Sequence, residues 1–335
     1  MSARPPTAGA VVVAAAMHTR AGETHAQVCE LIDESPLVVD VAGVGRYTLM
    51  WTPMADDRDA AGFVPHDGWL GDTPSSALSL AAGFAFSEGM FDSIADIESI
   101  ARCPDSPGVV RLVLTPAARE RAGAAAHERT VRSSCGACGS DDIAHLLRGI
   151  RAVRGATTLS PAALQSLAAA MQQRQALWQA TGGAHAALVF APGGEPLAFA
   201  EDLGRHNALD KAIGRCLLDG LRLEGGGVVL SSRLSFEMVA KAARAGLAIV
   251  AGVSAASALA VRTAQACGIT LCGFVRDGRA TVYAHARRIA AAADAADAAD
   301  AARAGSAEAR AARDQPRSAA SESRTASGSG SACAG

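Results

Sequence analysis

Val228-Val229-Leu230-Ser231-Ser232-Arg233 begins the part of the sequence that decides the fold. Three apolar residues followed by polar ones are typical of a short buried strand that ends at Ser231. Residues 236–244 and 257–266 then have helical patterns, and residues 248–253 form another apolar run between them. Strands that alternate with helices at this spacing favour an α/β layer sandwich.

The same alternation continues on both sides of this stretch. Ser160-Pro161 predicts a helix start, with serine as N-cap and proline at the first helical position. One apolar stripe on that helix would consist of Leu164, Leu167, Met171 and Trp178. A buried helix is predicted at residues 78–90, and further strands are predicted at residues 37–41, 47–52, 109–114, 186–190, 271–275 and 280–283, with one more ending at residue 200. We therefore expect a mixed central sheet, with residues 53–78 forming a loop.

The chain divides into three segments of different composition. Residues 1–30 are predicted to be a loosely ordered leader, and residues 31–290 to form one domain. From residue 291 onward, Ala-Asp-Ala repeats give way to Ser, Arg, Gly and Ala, so no apolar face remains to be buried. We therefore expect residues 291–335 to be a disordered tail.

The composition argues against several classes of function. With 31 Lys and Arg against 33 Asp and Glu, the formal net charge is -2, which offers no general electrostatic reason to bind nucleic acid or a membrane surface. The apolar run at residues 246–261 is too short to span a bilayer. Eight cysteines in 335 residues are too few for a disulfide-stapled scaffold, so reduced thiols in the cytoplasm fit best.

Cys135-Gly136-Ala137-Cys138 is the strongest chemical signal in the chain. Two thiols at this spacing can ligate a metal, cycle as a disulfide or carry sulfur as a persulfide. A zinc site would need two more ligands, and no second such pair occurs, so we expect no structural metal. The position deep in the chain weakens a thioredoxin-like redox pair, which stays the runner-up to nucleophilic sulfur chemistry.

Polar residues at strand ends and helix starts form a second signal. Ser231-Ser232-Arg233 directly follows a predicted strand, where α/β folds bind ligands, and both helix N-termini and arginine suit phosphate. Residues 204–211 crowd polar groups at another helix start, where capping by Asn207 with solvated charges is the simpler interpretation. Thr181 to His185 places a histidine beside glycines, and a helix cap is again the simpler explanation.

Several segments together resemble the formate dehydrogenase accessory sulfurtransferases, often called FdhD. The matching segments occur in the expected order over about residues 34–289. They are Met50-Trp51-Thr52-Pro53, residues 83–89, 133–139, 181–185 and 202–211, Arg233-Leu234-Ser235-Phe236-Glu237-Met238, residues 273–276, and Val282-Tyr283. Several of these motifs are specific in combination.

The resemblance implies a fold and an activity. Members of this family have a cytidine-deaminase-like α/β fold without the deaminase zinc chemistry, and they usually form homodimers. They take sulfur from a cysteine desulfurase as a cysteine persulfide and pass it to the molybdenum cofactor in its bis-guanine-dinucleotide form. Because this sulfuration precedes activity of the formate dehydrogenase catalytic subunit, we expect the desulfurase and that subunit as partners.

The resemblance also implies which residues act. The persulfide cysteine of the family matches Cys135, with Cys138 as its partner. The cofactor-binding segment of the family matches Phe274-Val275-Arg276-Asp277-Gly278-Arg279, in which Arg276 and Arg279 suit the guanine-dinucleotide phosphates. The predicted cofactor-binding set also includes four residues from other matching segments, which are Arg233, His185, Arg205 and His206.

The sequence departs from the family pattern at a few positions. Residues 54–77 form a longer insertion than usual, and Ser232 stands where glycine is typical. Ser232 adds a side chain beside the predicted ligand turn, which would narrow the pocket or contribute a hydroxyl.

Two other functions stay open. A chaperone that binds the cofactor without transferring sulfur would tolerate loss of both thiols yet still need Arg233 and Arg276. A thiol–disulfide oxidoreductase would act through Cys135 and Cys138 without any cofactor.

Overall fold

Two six-stranded sheets and a short hairpin contain the strands of the computed structural model, which describes residues 5–57, 62–65, 68–70, 75–126, 152–154 and 157–290. The hairpin pairs β1 (Ala10–His18) with β2 (Thr24–Ile32) in antiparallel orientation. The β-branched run Val11-Val12-Val13 favours a strand. Strands therefore occupy most of residues 10–30, where the sequence predicted a loosely ordered leader.

The first sheet is mixed, and its strands are β3 (Ser35–Val41), β4 (Gly45–Trp51), β5 (Gly62–Val64), β6 (Gly68–Leu70), β7 (Ile97–Cys103) and β8 (Ser106–Leu114). Its spatial order is β4-β3-β8-β7-β5-β6, with β3 and β8 parallel and the other neighbours antiparallel. The β5–β6 hairpin lies inside the predicted loop. The sequence did not predict β7, because its buried Ile97 and Ile100 are three positions apart, a helical spacing.

The second sheet is also mixed, and its strands are β9 (His185–Phe190), β10 (Pro196–Asp202), β11 (Gly227–Leu230), β12 (Ile249–Gly252), β13 (Thr270–Arg276) and β14 (Arg279–Ala284). Its order is β10-β9-β11-β12-β13-β14, with β11, β12 and β13 parallel and the outer pairs antiparallel. The predicted strands of this region are confirmed. The mixed α/β class is confirmed too, with two mixed sheets in place of one central sheet.

The helices of the described residues are α1 (Ser76–Ser87), α2 (Pro116–Ala126), α3 (Pro161–Arg174), α4 (Ala176–Thr181), α5 (Arg205–Leu218), α6 (Phe236–Arg244) and α7 (Ala258–Cys267). As predicted, Ser160 caps α3, because its Oγ accepts a hydrogen bond from the Ala163 N–H at 3.1 Å. The predicted helix then breaks at Gln175, whose ψ of 63° is not helical. Trp178 therefore lies on α4 and is 51% exposed, so its predicted place in the apolar stripe is wrong.

The helices between the two sheets form the main core. α1 packs on β7 and β8 of the first sheet, α5 packs on β9 and β10 of the second, and the two helices pack on each other. Alternate residues of the second sheet face opposite ways, so Val189 and Val228 join this core while Leu188 and Val229 pack with Leu164 of α3.

Glycines allow α1 and α5 to cross at very short distance. A Cβ at Gly83 would lie 1.8 Å from the carbonyl oxygen of Asp210, and a Cβ at Gly214 would lie 1.8 Å from that of Ser79. No side chain fits at either position, so the two sheets depend on these glycines for their packing.

Two of the predicted segments lie outside the described residues. These are the tail at residues 291–335 and the Cys135-Gly136-Ala137-Cys138 motif. In the part of the chain that is described, no helix is both long and apolar enough to cross a membrane.

Candidate functional site

The carboxyl ends of β11 and β12 meet the start of β9 at one edge of the second sheet. His185, the first residue of β9, pairs with Asp202, the last residue of β10. Ser231 follows β11 and is held there, because its N–H donates to the Ala186 carbonyl at 3.0 Å while its Oγ accepts from the Ala186 N–H at 2.8 Å. This is the edge at which open α/β sheets bind ligands.

His185 lies half-buried among positive side chains. Its pKa is lowered, first by burial and then by the charges of Arg205, Arg233 and His206, with Asp202 opposing them. The imidazole is therefore neutral at neutral pH and can both donate and accept a hydrogen bond. The structure thus brings together four residues that the sequence assigned to cofactor binding.

Helices α5 and α6 begin near this edge without side-chain caps. Gly204, the N-cap of α5, has no side chain to offer, and Ser235, the N-cap of α6, makes no capping hydrogen bond. Arg205 Nε and Ser235 Oγ are buried polar atoms without a hydrogen-bond partner among the described residues. Uncapped N–H groups beside unpaired donors suit an oxyanion such as a phosphate.

A hydrogen bond joins the first turns of these two helices. His206 Nε2 lies 2.6 Å from Glu237 Oε2. The pKa of Glu237 is lowered, first because it accepts this hydrogen bond, while burial opposes the shift. The bond orients the His206 ring and fixes the start of α5 relative to that of α6.

A buried ion pair lies beneath the site. Lys211 Nζ is 2.7 Å from Asp202 Oδ2, and the two side chains are 2% and 0% exposed. Lys211 also donates to the Thr52 carbonyl at 2.9 Å and lies 4.9 Å from the centre of the Trp51 ring. The pair thereby connects the end of β4 in the first sheet to β10 and α5 at the second.

The sequence interpretation of this segment, with Asn207 as cap and solvated charges, is wrong. Gly204 is the N-cap of α5, and Asn207 Nδ2 instead donates to the Met50 carbonyl at 2.6 Å and to Asp202 Oδ1 at 2.9 Å. The buried Asp202 carboxylate needs hydrogen-bond donors such as Asn207 Nδ2, since an unpaired buried charge is very costly.

The predicted segment at residues 274–279 contains the end of β13, the turn at Asp277-Gly278 and the first residue of β14. Phe274 and Asp277 have positive φ angles of 53° and 55°, and the Phe274 N–H donates to the Ser254 carbonyl at 3.1 Å. The Arg276 guanidinium lies 5.7 Å from the centre of the Phe274 ring and is exposed. Val275 is fully buried, backbone included, so it presents no surface to a ligand in this structure.

Two further residues of this segment, and Ser232 after β11, have defined positions. Gly278 has a φ of 71°, which fits the predicted hairpin turn, and Arg279 is exposed. The Arg279 carbonyl accepts a hydrogen bond from Gln165 Nε2 at 2.7 Å. Ser232 is 4% exposed, and its Oγ donates to the Arg233 carbonyl at 3.2 Å, so the hydroxyl stabilises its own strand end.

A cavity of about 670 Å³ adjoins His185 and was not predicted from the sequence. Its walls include Ser231, the glycines at 182–183, Trp178 and four glutamines from the junction of α3 and α4. The available signal was the cluster of glutamines at 172, 173, 175 and 179, on which the sequence analysis made no prediction.

The predicted sulfur site, Cys135 with Cys138, lies outside the described residues. Burial raises the pKa of the Cys216 and Cys272 thiols to about 12, so both are protonated and poor nucleophiles. Within the described ranges, no group of three or more His, Cys, Asp or Glu side chains is arranged to hold a metal ion.

Comparison with protein families matches residues 69–290 to the FdhD/NarQ family. A Thermoplasma acidophilum protein named sulfur carrier protein FdhD is 36% identical over 256 residues, which cover 76% of this chain and 85% of the relative. A protein of the same name from Bordetella bronchiseptica is 36% identical over 257 residues, which cover 76% of this chain and 91% of the relative. One from Cupriavidus necator is 33% identical over 288 residues, covering 86% and 92%. The chain belongs to the FdhD/NarQ family, as the motifs indicated.

A solved structure agrees with the fold. The crystal structure of a candidate formate dehydrogenase accessory protein from Desulfotalea psychrophila superposes with a TM-score of 0.63 and 20% identity. The match covers 84% of this chain and 99% of that one. The likeness supports the mixed α/β architecture described above.

Proposed function

We propose that this protein is a sulfur carrier that accepts sulfur from a cysteine desulfurase and delivers it to the molybdenum cofactor in its bis-guanine-dinucleotide form. The catalytic subunit of formate dehydrogenase then receives the sulfurated cofactor. Membership of the FdhD/NarQ family and relatives named sulfur carrier protein FdhD support the carrier role. Cys135 and Cys138 supply the two thiols.

The observation that best supports cofactor binding is the cluster of positive side chains at the edge of the second sheet. Arg205, His206 and Arg233 surround a neutral His185, and two helices begin there without caps. Phosphates of a guanine dinucleotide are anions that accept hydrogen bonds from arginine and from helix N-termini. The cargo is thus a substrate held by its phosphates at this edge, in addition to the turn at residues 274–279.

The loading step forms a persulfide on Cys135. The Cys135 thiolate attacks the terminal sulfur of the persulfide on the desulfurase. The donor S–S bond breaks, its electron pair leaves with the donor thiolate, and a new S–S bond forms on Cys135. The number of S–S bonds is unchanged, so this step consumes no oxidant or reductant.

The delivery step uses Cys138. Its thiolate attacks the inner sulfur of the Cys135 persulfide, and the terminal sulfur leaves as hydrosulfide, which replaces an oxygen ligand of molybdenum that departs as water. The two electrons that reduce the sulfur come from the two thiols, which become a Cys135–Cys138 disulfide. A thiol reductant of the cell then restores both cysteines.

The cellular setting of the protein follows from its thiol chemistry. It acts in the cytoplasm, where thiols stay reduced, and it acts as a homodimer without a resident metal. The desulfurase docks as sulfur donor and the formate dehydrogenase subunit as acceptor.

Activation of formate dehydrogenase tests this function. The dehydrogenase is produced with wild-type or variant protein in cells that lack another sulfur carrier of this kind, and formate oxidation is measured. We expect Cys135→Ala to abolish activation and Cys138→Ala to lower it at least tenfold, about 1.4 kcal/mol in the effective barrier. Cys103→Ala, at a half-buried cysteine of β7, is the matched control and should activate normally. Full activation by Cys135→Ala would show that the protein does not carry sulfur in this way.

A further inference from the structure

The β1–β2 hairpin carries most of the exposed apolar surface in the described part of the chain. Six of the eight large apolar side chains that are exposed there lie on this hairpin, and they are Val11, Val12, Val13, Met17, Val28 and Leu31. Single exposed apolar side chains are ordinary, but a contiguous group of them marks an interaction site. A two-stranded hairpin alone is also only marginally stable in water, so contact with another surface would stabilise it.

Strand β1 is apolar on both of its faces. The base of the hairpin packs on α4, and both faces are exposed beyond that contact. Val11 and Val13 point to one face, whereas Val12 and Ala14 point to the other. A strand that is apolar on both faces is typical of one that other parts of a protein enclose. In the single chain, the described residues leave β1 exposed.

The backbone of β1 is bonded to β2 along one edge and is open along the other. At the two ends of the hairpin, the Asp33 N–H donates to the Gly9 carbonyl at 2.8 Å and the Thr19 N–H donates to the Glu23 carbonyl at 2.9 Å. Alternation along an antiparallel pair then directs the odd-numbered residues of β1 to β2, and the even-numbered ones to the opposite edge. No described strand pairs with that edge. The residues whose backbone groups lie along it are Val12, Ala14, Ala16 and His18.

The two strands of the hairpin differ in polarity. β2 carries His25, Gln27 and Glu30, and polar or charged side chains of this kind protect an edge strand from pairing. From Ala10 to Met17, β1 has no charged residue and no proline. An open edge without either feature is a template for another strand.

A second copy of this chain fits the open edge of β1. Two antiparallel β1 strands related by a two-fold axis would overlap completely when the axis passes Ala14, the middle residue of Ala10–His18. Val11 would then lie opposite Met17 of the second copy, so apolar side chains meet apolar side chains. A partner selected by charge would find no charge to recognise on this edge.

We infer that the open edge of β1 pairs with β1 of a second copy and forms a four-stranded antiparallel sheet, β2-β1-β1-β2, between two molecules. The pairing gives partners to the backbone groups of Val12, Ala14 and Ala16, and it brings the exposed valines of the two copies together. This inference rests on the homodimer of the proposed function, because it names the strand through which the two chains associate.

Disulfide cross-linking of the full chain tests the register. The Cα atoms of two opposite residues in a hydrogen-bonded antiparallel pair lie about 5.5 Å apart, which a disulfide can span. In a chain that carries Cys29→Ser, mild oxidation of Ala14→Cys should therefore join two molecules through position 14, as peptide mapping by mass spectrometry would show. Ala26→Cys, at an exposed position of β2 in the same background, is the matched control and should give no link between its own copies.

Light scattering after size-exclusion chromatography tests the association itself. Wild-type protein should have the mass of a dimer, and Val12→Lys should have half that mass, because a charge then lies on the open edge. Gln27→Lys places the same charge on exposed β2 and should stay dimeric.

Three results would overturn the inference. They are a monomeric wild type, a Val12→Lys variant that is as dimeric as Gln27→Lys, and the absence of a link through position 14. Sulfur loading separates this inference from the proposed function. A wild type that forms the β1 link but never gains sulfur on Cys135 would contradict the sulfur carrier and support the interface.

Discussion

His185 is the residue at which the charge of the candidate site can change. Burial and the neighbouring Arg205, Arg233 and His206 lower its pKa, while Asp202 of β10 opposes them. The ring is therefore neutral when the site is empty at neutral pH. A bound anion beside it favours the charged imidazolium and raises that pKa again.

We expect anion binding to take up protons through His185. Linkage then requires pyrophosphate affinity to rise as the pH falls from about 7.5 to 6, by at most tenfold per pH unit for one proton. His185→Asn should show a shallower rise. The measurement is calorimetric affinity at several pH values, and the comparison is between the two proteins because pyrophosphate itself titrates. The same pH dependence in both proteins would exclude His185 as the titrating group.

At the residue scale, sequence patterns predicted which residues belong to the candidate site better than they predicted the burial and partners of each residue. The positions of His185, Arg205, His206 and Arg233 in known motifs were sufficient to group them, and the structure places them together. The burial of Lys211 could not be predicted, because it depends on partners from another sheet at Thr52 and Trp51.

Helix α4 depends on one side chain from a neighbouring strand. It has six residues, too few to be stable alone, and Glu201 of β10 accepts hydrogen bonds from the N–H groups of its second and third residues, Leu177 and Trp178. Burial raises the pKa of Glu201, and these hydrogen bonds oppose the shift.

We expect Glu201→Ala to lower the free energy of unfolding by about 2 kcal/mol, because the buried Leu177 N–H and the part-buried Trp178 N–H lose their acceptor. Glu201→Gln keeps one acceptor oxygen and should lose roughly half as much. Urea denaturation measures both, with Glu195→Ala as the control at an exposed glutamate on the turn before β10. If Glu201→Ala were as stable as Glu195→Ala, the carboxylate would not be the anchor of α4.

At the element scale, the first and last residues of a helix were predicted correctly where local residues determine them. Ser160-Pro161 starts α3 because both act through local geometry. The break at Gln175 was not predictable, since the anchor that begins the next helix is Glu201, which lies 26 positions further along the chain.

The whole molecule depends on the crossing of α1 and α5, which links the two sheets. We expect Gly83→Ala to lower the free energy of unfolding by about 3 kcal/mol, because its Cβ would overlap the Asp210 carbonyl and force the helices apart. Gly123→Ala in α2 is the matched control, since its Cβ would meet open space, and it should raise stability by up to about 1 kcal/mol. Equal stability of the two variants would mean that the helices separate at no cost.

The class of fold was predictable from the sequence, but the number of sheets was not. Alternating strand and helix patterns are local and indicated a mixed α/β protein. The pairing of β3 with β8 joins residues about seventy positions apart, and no local pattern states whether they join β9 or form a second sheet. The two sheets are separated by the packed helices α1 and α5, which cross closely at Gly83 and Gly214. This crossing joins residues far apart in the sequence, so no local pattern predicts it.

The most direct test of the central claim is the location of transferred sulfur. Purified protein is incubated with cysteine and a cysteine desulfurase, the thiols are trapped, and peptides are mapped by mass spectrometry. We predict an added sulfur atom on Cys135 in wild type and in Cys138→Ala, and none on the buried Cys216 and Cys272. The absence of added sulfur on Cys135, while the desulfurase turns over cysteine, would contradict the account.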